Sequence, residues 1–331
     1  MKRTRTMILQ GICCMLLLAC HGSDRGSMNH FVILDGSGRI LSWVQPQDQA
    51  YDSVIRRAAA FLLNGVPAES NGLKTYFTYS CMDGDGTHGL QWPHNPAGLN
   101  AMLVDSALAY YAYSGDRRIT DLVQGLLDYQ LAHGTTPATC AWGNVPYSSS
   151  EPGSLEYRGA APGDAPGVIE VDKIGELGLG YLKWHLFTGQ TSYREAAIAC
   201  ADALAAHVRS GDGDHSPWPF RVVAQDGTIL EDYSSAVIAS IRLFDELIRL
   251  NLGQASSYQS ARDLAWAWLM AYPMKNNQWF GYFEDIEIRS THDNFNQYSP
   301  METARYLLEH PESDPEWATH VPGLIQWVEK T

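Results

Sequence analysis

Basic residues are scarce in this chain and form no cluster. Lys and Arg number 23 against 37 Asp and Glu in 331 residues, a formal net charge of −14. Phosphate backbones are held by grouped Lys and Arg, so the composition argues against a nucleic-acid partner. Cysteine is also sparse. Of 6 in all, Cys13, Cys14 and Cys20 lie near the start, leaving Cys81, Cys140 and Cys200. No Cys-x-x-Cys or Cys/His spacing of the kind a zinc site uses is present. Beyond the N-terminal segment no apolar run is long enough to cross a bilayer. Also missing are a Ser nucleophile elbow, a phosphate-binding loop, a dinucleotide fingerprint opening a helix and His-Glu-x-x-His. These absences remove Ser hydrolases, kinases, Rossmann dehydrogenases and zincins from consideration.

What is there begins with an export signal. Met1-Lys-Arg-Thr-Arg5 is a basic opening, followed by an apolar run from Met7 to Leu18 that is too short to span a membrane stably. It ends in Leu17-Leu-Ala-Cys20, which resembles the bacterial lipobox. The resemblance implies cleavage before Cys20, lipidation of that cysteine, and a protein exported to the periplasm or cell surface on a lipid anchor. An ordinary signal peptide with an incidental cysteine is the alternative. Residues 1–19 are then the signal, 20–30 a polar tether, 31–47 a small β-hairpin around Asp35-Gly36, and 48–331 one large domain. A hydrophobic content of 45% suits a globular core of that size.

The large domain reads as all-α. Helical periodicity predicts helices over Tyr51–Leu63, Leu99–Tyr113, Ile119–Leu131, Ile169–Phe187, Ser192–Val208, Tyr233–Leu250, Tyr258–Met270, Pro300–Leu308 and Pro322–Val328. Connections alternate between short and long. The short ones look alike: Tyr113-Ser-Gly-Asp116, Phe187-Thr-Gly-Gln190 and Asn251-Leu-Gly-Gln254. The long ones, 65–97, 133–168, 209–230 and 273–297, are rich in Trp, Tyr, His, Asn and Asp. In a ring of antiparallel helix pairs every second connection falls on the same end, so the long connections should share one face. An internal repeat supports the pairing. Thr191-Ser-Tyr-Arg-Glu-Ala196 and Ser256-Ser-Tyr-Gln-Ser-Ala261 each follow a Gly-Gln turn. Their Ser is expected to cap the helix, and their Tyr to anchor its first turn. Gly175, Gly178 and Gly180 in one helix predict close approach of a neighbour or ligand.

The turns, the Tyr and the Ala-rich helix after them resemble the six-hairpin glycosidase-like (α/α) toroid superfamily, over roughly residues 98–331. The predicted helices are too few for a closed ring of six hairpins, so the expected toroid is shorter or more open. The resemblance implies a glycoside hydrolase, a polysaccharide lyase or a sugar isomerase or epimerase, and fold alone does not choose among them.

Candidate chemistry lies in the long connections. The first offers Trp92 as a sugar-stacking face and His88 and His94 as groups titrating near neutrality. Its Asp83-x-Asp85-Gly86 resembles the core of a calcium loop but lacks the further acids of an EF-hand. A solvated Gly-rich turn is the plainer reading, and no cofactor is expected. The second offers Trp142 and Tyr147 and leads into Asp172 and Glu176, four apart and so on one helical face. A carboxyl on an apolar inner face is desolvated and suited to act as a general acid. Lys173 is the competing structural partner of Asp172. The third offers Trp218, Asp232 and Tyr233; Asp232 either faces the cavity or caps the helix expected to start there. The fourth is densest, with Trp279, Tyr282, Glu284, Asp285, Asn294 and Asn296. Packing of its own aromatics is the alternative there. On the ring model Cys81 and Cys140 sit in the first two long connections on one face and are expected to form a disulfide, which export permits. Cys200, among small residues, is expected to be a buried free thiol.

The reading these residues favour is a monomeric exported enzyme that cleaves glycosidic bonds in an oligo- or polysaccharide. One carboxyl protonates the leaving oxygen and another activates water. Asp172 would act with Asp232, Glu284 or Asp285. The alternatives are a lyase acting on uronic-acid glycans through Tyr and His, and a glycan-binding surface lipoprotein without catalysis. The anchor has its own test. Wild-type protein should incorporate labelled palmitate and sediment with membranes, and Cys20→Ser should do neither; equal labelling of both would remove the lipoprotein reading.

Overall fold

A computed structural model of the chain describes residues 34–39, 49–74, 95–151, 154–160, 164–275, 277, 279 and 296–330. Nine α-helices dominate them. They are α1 (Ala50–Ala60, continued by a π-turn to Gly65), α2 (Pro96–Ser114), α3 (Arg117–His133), α4 (Val171–Thr188), α5 (Thr191–His207), α6 (Ile238–Arg249), α7 (Ala255–Ala271), α8 (Tyr298–Glu309) and α9 (Trp317–Lys330). Every predicted helix is present. Three short strands, β1 (Val168–Glu170), β2 (Arg221–Val223) and β3 (Ile229–Glu231), form an antiparallel sheet in that order. Asp226-Gly227 turns the β2–β3 hairpin, with Thr228 N donating to Asp226 Oδ1 at 2.9 Å. Of the expected N-terminal hairpin, residues 34–39 show its turn, where Asp35 N donates to Arg39 O at 2.8 Å.

The helices pair as the alternation requires. Helices α2, α4, α6 and α8 form an inner set, each packed on the next, and α3, α5, α7 and α9 lie outside them. Each short turn joins an inner helix to its outer partner. Gly115, Gly189 and Gly253 sit at φ 71°, 75° and 67°, where an L side chain is strained and glycine is not. Among the described residues α2 and α8 face each other across a cavity and pack less closely than the other inner neighbours.

The long connections meet at the heads of the inner helices. Strand β1 belongs to the second and pairs with β2 of the third. Asn95, ending the first, caps α2 and donates to Glu170 at 3.2 Å. Asn296, ending the fourth, donates to Ser235 Oγ of the third at 2.9 Å. One face therefore carries the described ends of all four.

The repeat also has a structural meaning, different from the one its sequence predicts. Helices α5 and α7 begin at Thr191 and Ala255, so the serines lie inside the first turn and cap nothing. The repeated tyrosines instead reach sideways. Tyr193 donates to Asp128 of α3, and Tyr258 to Asp202 of α5, each at 2.5 Å. The same tether thus links successive outer helices. Three helix starts also differ from expectation. Helix α6 opens at Ile238, after Ser234 and Ser235, whose side chains satisfy local groups in extended chain. Helix α2 opens at Pro96, ahead of Asn100, and α9 at Trp317, enclosing Pro322.

Helix α4 is the hub, buried without interruption from Val171 to Leu182. A Cβ at Gly175 would lie 2.2 Å from Ser240 Oγ and 2.9 Å from Ser240 N of α6. A Cβ at Gly180 would first meet Ala101 Cα at 3.5 Å, an ordinary contact. Gly175→Ala should therefore lower stability by about 1–3 kcal/mol, the usual cost of overpacking. Gly180→Ala should raise it by up to about 1 kcal/mol through helix propensity. Thermal denaturation of the two variants checks this; equal losses would show that the close approach is misplaced.

Candidate active site

The candidate site is built on the first two turns of α4. Strand β1 delivers the chain straight into the helix, and Glu170 stands at the junction in extended conformation. Asp172, Lys173 and Glu176 follow, at 6%, 8% and 6% exposure. Charged residues are seldom buried so deeply unless paired. The Lys173 ammonium lies 3.0 Å from Asp172 Oδ2 and 3.4 Å from Glu176 Oε1. Tyr298, at the head of α8, donates its hydroxyl to the same Glu176 oxygen at 3.3 Å. Glu176 Oε2 is buried without a hydrogen-bond partner.

Two carboxyls thus share one ammonium. Burial pushes the Glu176 carboxyl up, Lys173 pulls it back, and the nearby Asp172 charge adds to the rise, for a net upward shift. Oε1 already accepts from Lys173 and Tyr298, so Oε2 is the oxygen left to hold a proton. Asp172, the desolvated acid the sequence puts forward, is buried against Lys173, and Glu176 on the same helical face is shifted upward. Burial and the Glu176 charge push the Tyr298 hydroxyl upward, which keeps it a donor.

A second buried cluster adjoins the first. The sheet register sets Arg221 opposite both Glu170 and Glu231. Its guanidinium lies 2.7 Å from Glu231, 2.8 Å from Asp164 and 3.3 Å from Glu170. Three carboxyls around one guanidinium leave a surplus of negative charge, and Glu170 is the most distant. Burial, then the Asp164 charge, push it from its ordinary 4.5 to about 8. Glu170 was not singled out by sequence; its strand position between Ile169 and Val171 was the available signal.

A cavity of about 320 Å³ lies among the inner helices. All four of α2, α4, α6 and α8 contribute to its wall, with Glu176 and Tyr298 among the lining residues. Asp172 lines a much smaller pocket beside it, with Trp218 and Ser240.

The other predicted residues divide. Asp232 is not a cap, because α6 starts later; its carboxylate pairs with Arg209 and lies 3.6 Å from His215 Nε2. Trp142 is buried and stacks on His207 at 4.0 Å. Trp218 donates to Leu204 O at 2.8 Å, and Trp279, wholly buried, donates to Asn277 at 3.1 Å. None of the three indoles is an exposed sugar platform, since each fills the core. Tyr147 and Tyr233 are buried too, Tyr233 edge-on to Trp268. Asn296 bonds Ser235 and accepts from Ser299 N at 3.0 Å, holding the start of α8. Cys140 is a free thiol and its expected partner Cys81 lies outside the described residues; Cys200 is buried and free, as expected. Cys20, Asp83, Asp85, His88, Trp92, His94, Tyr282, Glu284, Asp285 and Asn294 also lie outside them. Among the described residues no group of His, Cys, Asp and Glu is arranged to hold a metal.

The Glu170 assignment gives a signed pH dependence. The unfolded chain releases this proton near 4.5 and the folded chain holds it to about 8. Between those values the folded state binds more protons, so stability falls as pH rises across the interval. Glu170→Gln removes that contribution, and its melting temperature should decline less over the same interval. Parallel curves for variant and wild type would refute the assignment.

No family model matches the chain, and no curated protein matches it by sequence. Solved structures do match. The cellobiose 2-epimerase of Spirochaeta thermophila superposes with a TM-score of 0.62 at 16% identity, covering 86% of this chain and 69% of that one. A family 76 glycoside hydrolase from a bovine Bacteroides thetaiotaomicron strain gives 0.53 at 15% identity, covering 85% and 56%. A polysaccharide lyase gives 0.50 at 11% identity, covering 80% and 70%. The chain thus spans little more than half of the hydrolase. At these identities the likeness concerns architecture: the chain shares the (α/α) toroid fold of these structures.

Proposed function

We propose that the chain is an exported, lipid-anchored carbohydrate-active enzyme that cleaves glycosidic bonds in an oligo- or polysaccharide, with Glu176 as general acid and Asp172 as its ionised partner. The observation that carries this reading is the buried Asp172–Lys173–Glu176 group, of which Glu176 lines the cavity. A single ammonium beside two carboxyls favours one of them ionised and one protonated, the division of labour that glycoside hydrolysis needs. Glu176 lines the cavity, and its buried Oε2, which has no hydrogen-bond partner, is the oxygen assigned the transferred proton. Lys173 Nζ pairs with Asp172 Oδ2 at 3.0 Å, and this carboxylate is the group assigned to activate water or stabilise positive charge at the sugar. Tyr298 orients Glu176 through Oε1 and leaves Oε2 clear. Fold neighbours that act on sugars support the substrate class.

The lyase alternative needs a basic Tyr or His. Tyr298, the tyrosine that touches the cluster, is shifted in the direction that makes it a poorer base. The non-catalytic alternative gives no reason to keep a protonated carboxyl at a cavity wall.

The test uses the soluble chain beginning after Cys20 on a polysaccharide panel, with reducing-end and ultraviolet readouts. Glu176→Gln and Asp172→Asn should each lower turnover by ~10²–10⁴, with glycan binding retained. Tyr298→Phe should lower it less. Full activity in both carboxyl variants would reject the assignment. An ultraviolet-absorbing unsaturated product would establish a lyase, and binding without turnover in the wild type a lectin-like protein.

A further inference from the structure

The end of the molecule opposite the long connections, its foot, carries the short turns and exposes large apolar side chains. Tyr113 near the end of α2 and Leu186 and Phe187 near the end of α4 are all exposed. Phe187 meets Tyr111 edge-on at 5.4 Å, so the two helix ends adjoin. Helix α1 joins the same patch. Its Asp52 accepts from the Tyr113 hydroxyl at 2.5 Å, which pins the first turn of α1 beside the foot of α2. Tyr51, one position earlier, is 86% exposed, and Val54 and Ile55 continue its stripe at helical spacing, exposed as well. Scattered exposed apolar residues are ordinary, whereas a contiguous group marks a surface that meets something.

Arginines edge this patch. Arg56 pairs with Asp52, and Arg118 with Asp116, each with more than half of its side chain exposed. Arg117, between Asp116 and Arg118, is exposed as well. Arg56 and Arg118 both lie close enough to Tyr110 to sense its charge, so the fold gathers arginines that the sequence keeps far apart. The grouping runs against a chain of net charge −14.

Position and charge name the occupant. Cys20, the lipobox cysteine, stands 30 positions before Ala50, where α1 begins. Even fully extended, a tether of that length reaches ~100 Å at most, so a lipid on Cys20 keeps α1 and the foot near the bilayer. A modest surface affinity then acts within one molecule, at high effective concentration. Tyrosines with an apolar ring and a wet hydroxyl, flanked by arginines, suit the headgroup layer, where the arginines meet anionic phosphate. No described helix is long and apolar enough to cross a bilayer, so the contact is with its surface.

We propose that the foot of the toroid, with the first turns of α1, docks on a bilayer carrying anionic phospholipid, and that the heads of the inner helices point away from it. The inference rests on the lipid-anchored reading above and adds to it the face that meets the membrane.

Vesicle partitioning tests it. The chain beginning after Cys20 keeps every described element and carries no lipid. It should sediment with vesicles of phosphatidylethanolamine and phosphatidylglycerol, less with phosphatidylcholine alone, and less again as salt is raised. Tyr51→Ser should lower partitioning about tenfold, and Arg117→Gln about fivefold, with melting temperatures unchanged. Leu230→Ser removes an equally exposed apolar side chain from the β2–β3 hairpin at the other end and should bind like the wild type. In the lipidated full chain on the same vesicles, amides of α1 should exchange more slowly than in the soluble chain, and those of the β2–β3 hairpin at the same rate. Undiminished partitioning of a folded Tyr51→Ser, or an equal loss in Leu230→Ser, overturns the proposal. So does a concentration-dependent dimer that Tyr51→Ser abolishes without any vesicle binding, which would give the surface to a second copy of the chain. Palmitate on Cys20 with no partitioning of the soluble chain overturns this surface and leaves the anchor standing. Tyr51-dependent partitioning with no palmitate on Cys20 supports the surface and rejects the anchor.

Discussion

Helix α4 can be enclosed on every side because two of its positions carry no side chain. At Gly175 a Cβ would collide with Ser240, and at Gly178 with Cys200 and Leu243. Removing those two Cβ atoms lets α5 and α6 approach closely, while α2 packs on a further side. Such contact replaces water with protein around several turns, each buried Leu or Ile contributing about 1.5–3 kcal/mol. Cys200 records the result. It is buried against the glycine gap, its thiol pushed up to about 12 by desolvation, and so is unreactive near neutral pH.

The same enclosure creates the electrostatics of the site. Two acids and one lysine at the head of α4 are drawn into the protein with the apolar residues around them. Each ionised group loses its water, and only opposite charge offsets the loss. Among the described residues Lys173 serves two carboxyls, and Arg221 serves three. Burial beside like charge shifts Glu176 and Glu170 toward holding their protons. Position separates the two. Glu170 is locked into the sheet register beside Arg221, whereas Glu176 lines the cavity.

Much of the architecture was legible in the sequence. The short turns were marked by glycines that do occupy the left-handed region, and the helices between them carried clear periodicity. The alternation of short and long connections predicts one shared face, and the described ends of the long ones do meet there. The repeated tyrosines were visible as a pattern, but their role was not, because Asp128 and Asp202 lie on a neighbouring outer helix and no local signal marks them as partners. In the site, the spacing of Asp172 and Glu176 shows that they share a face. It does not show which of them Lys173 holds more closely, since that depends on side-chain geometry across a helical turn.

The aromatic residues teach the opposite lesson. Trp142, Trp218 and Trp279 lie in polar connections, where an indole suggests a sugar platform. Yet a long connection must also bury something to hold a fixed shape. Each of these indoles lies in the core. Trp218 and Trp279 find interior acceptors for N–H, and Trp142 stacks on His207. A buried Trp with its one donor satisfied stabilises a connection through both area and direction. The described ends of the connections are thereby pinned over the heads of the inner helices, which fixes β1, β2 and with them Glu170 and Arg221. The tryptophans therefore act on the site at one remove, and the acid that stands at the cavity wall is Glu176, near the head of α4.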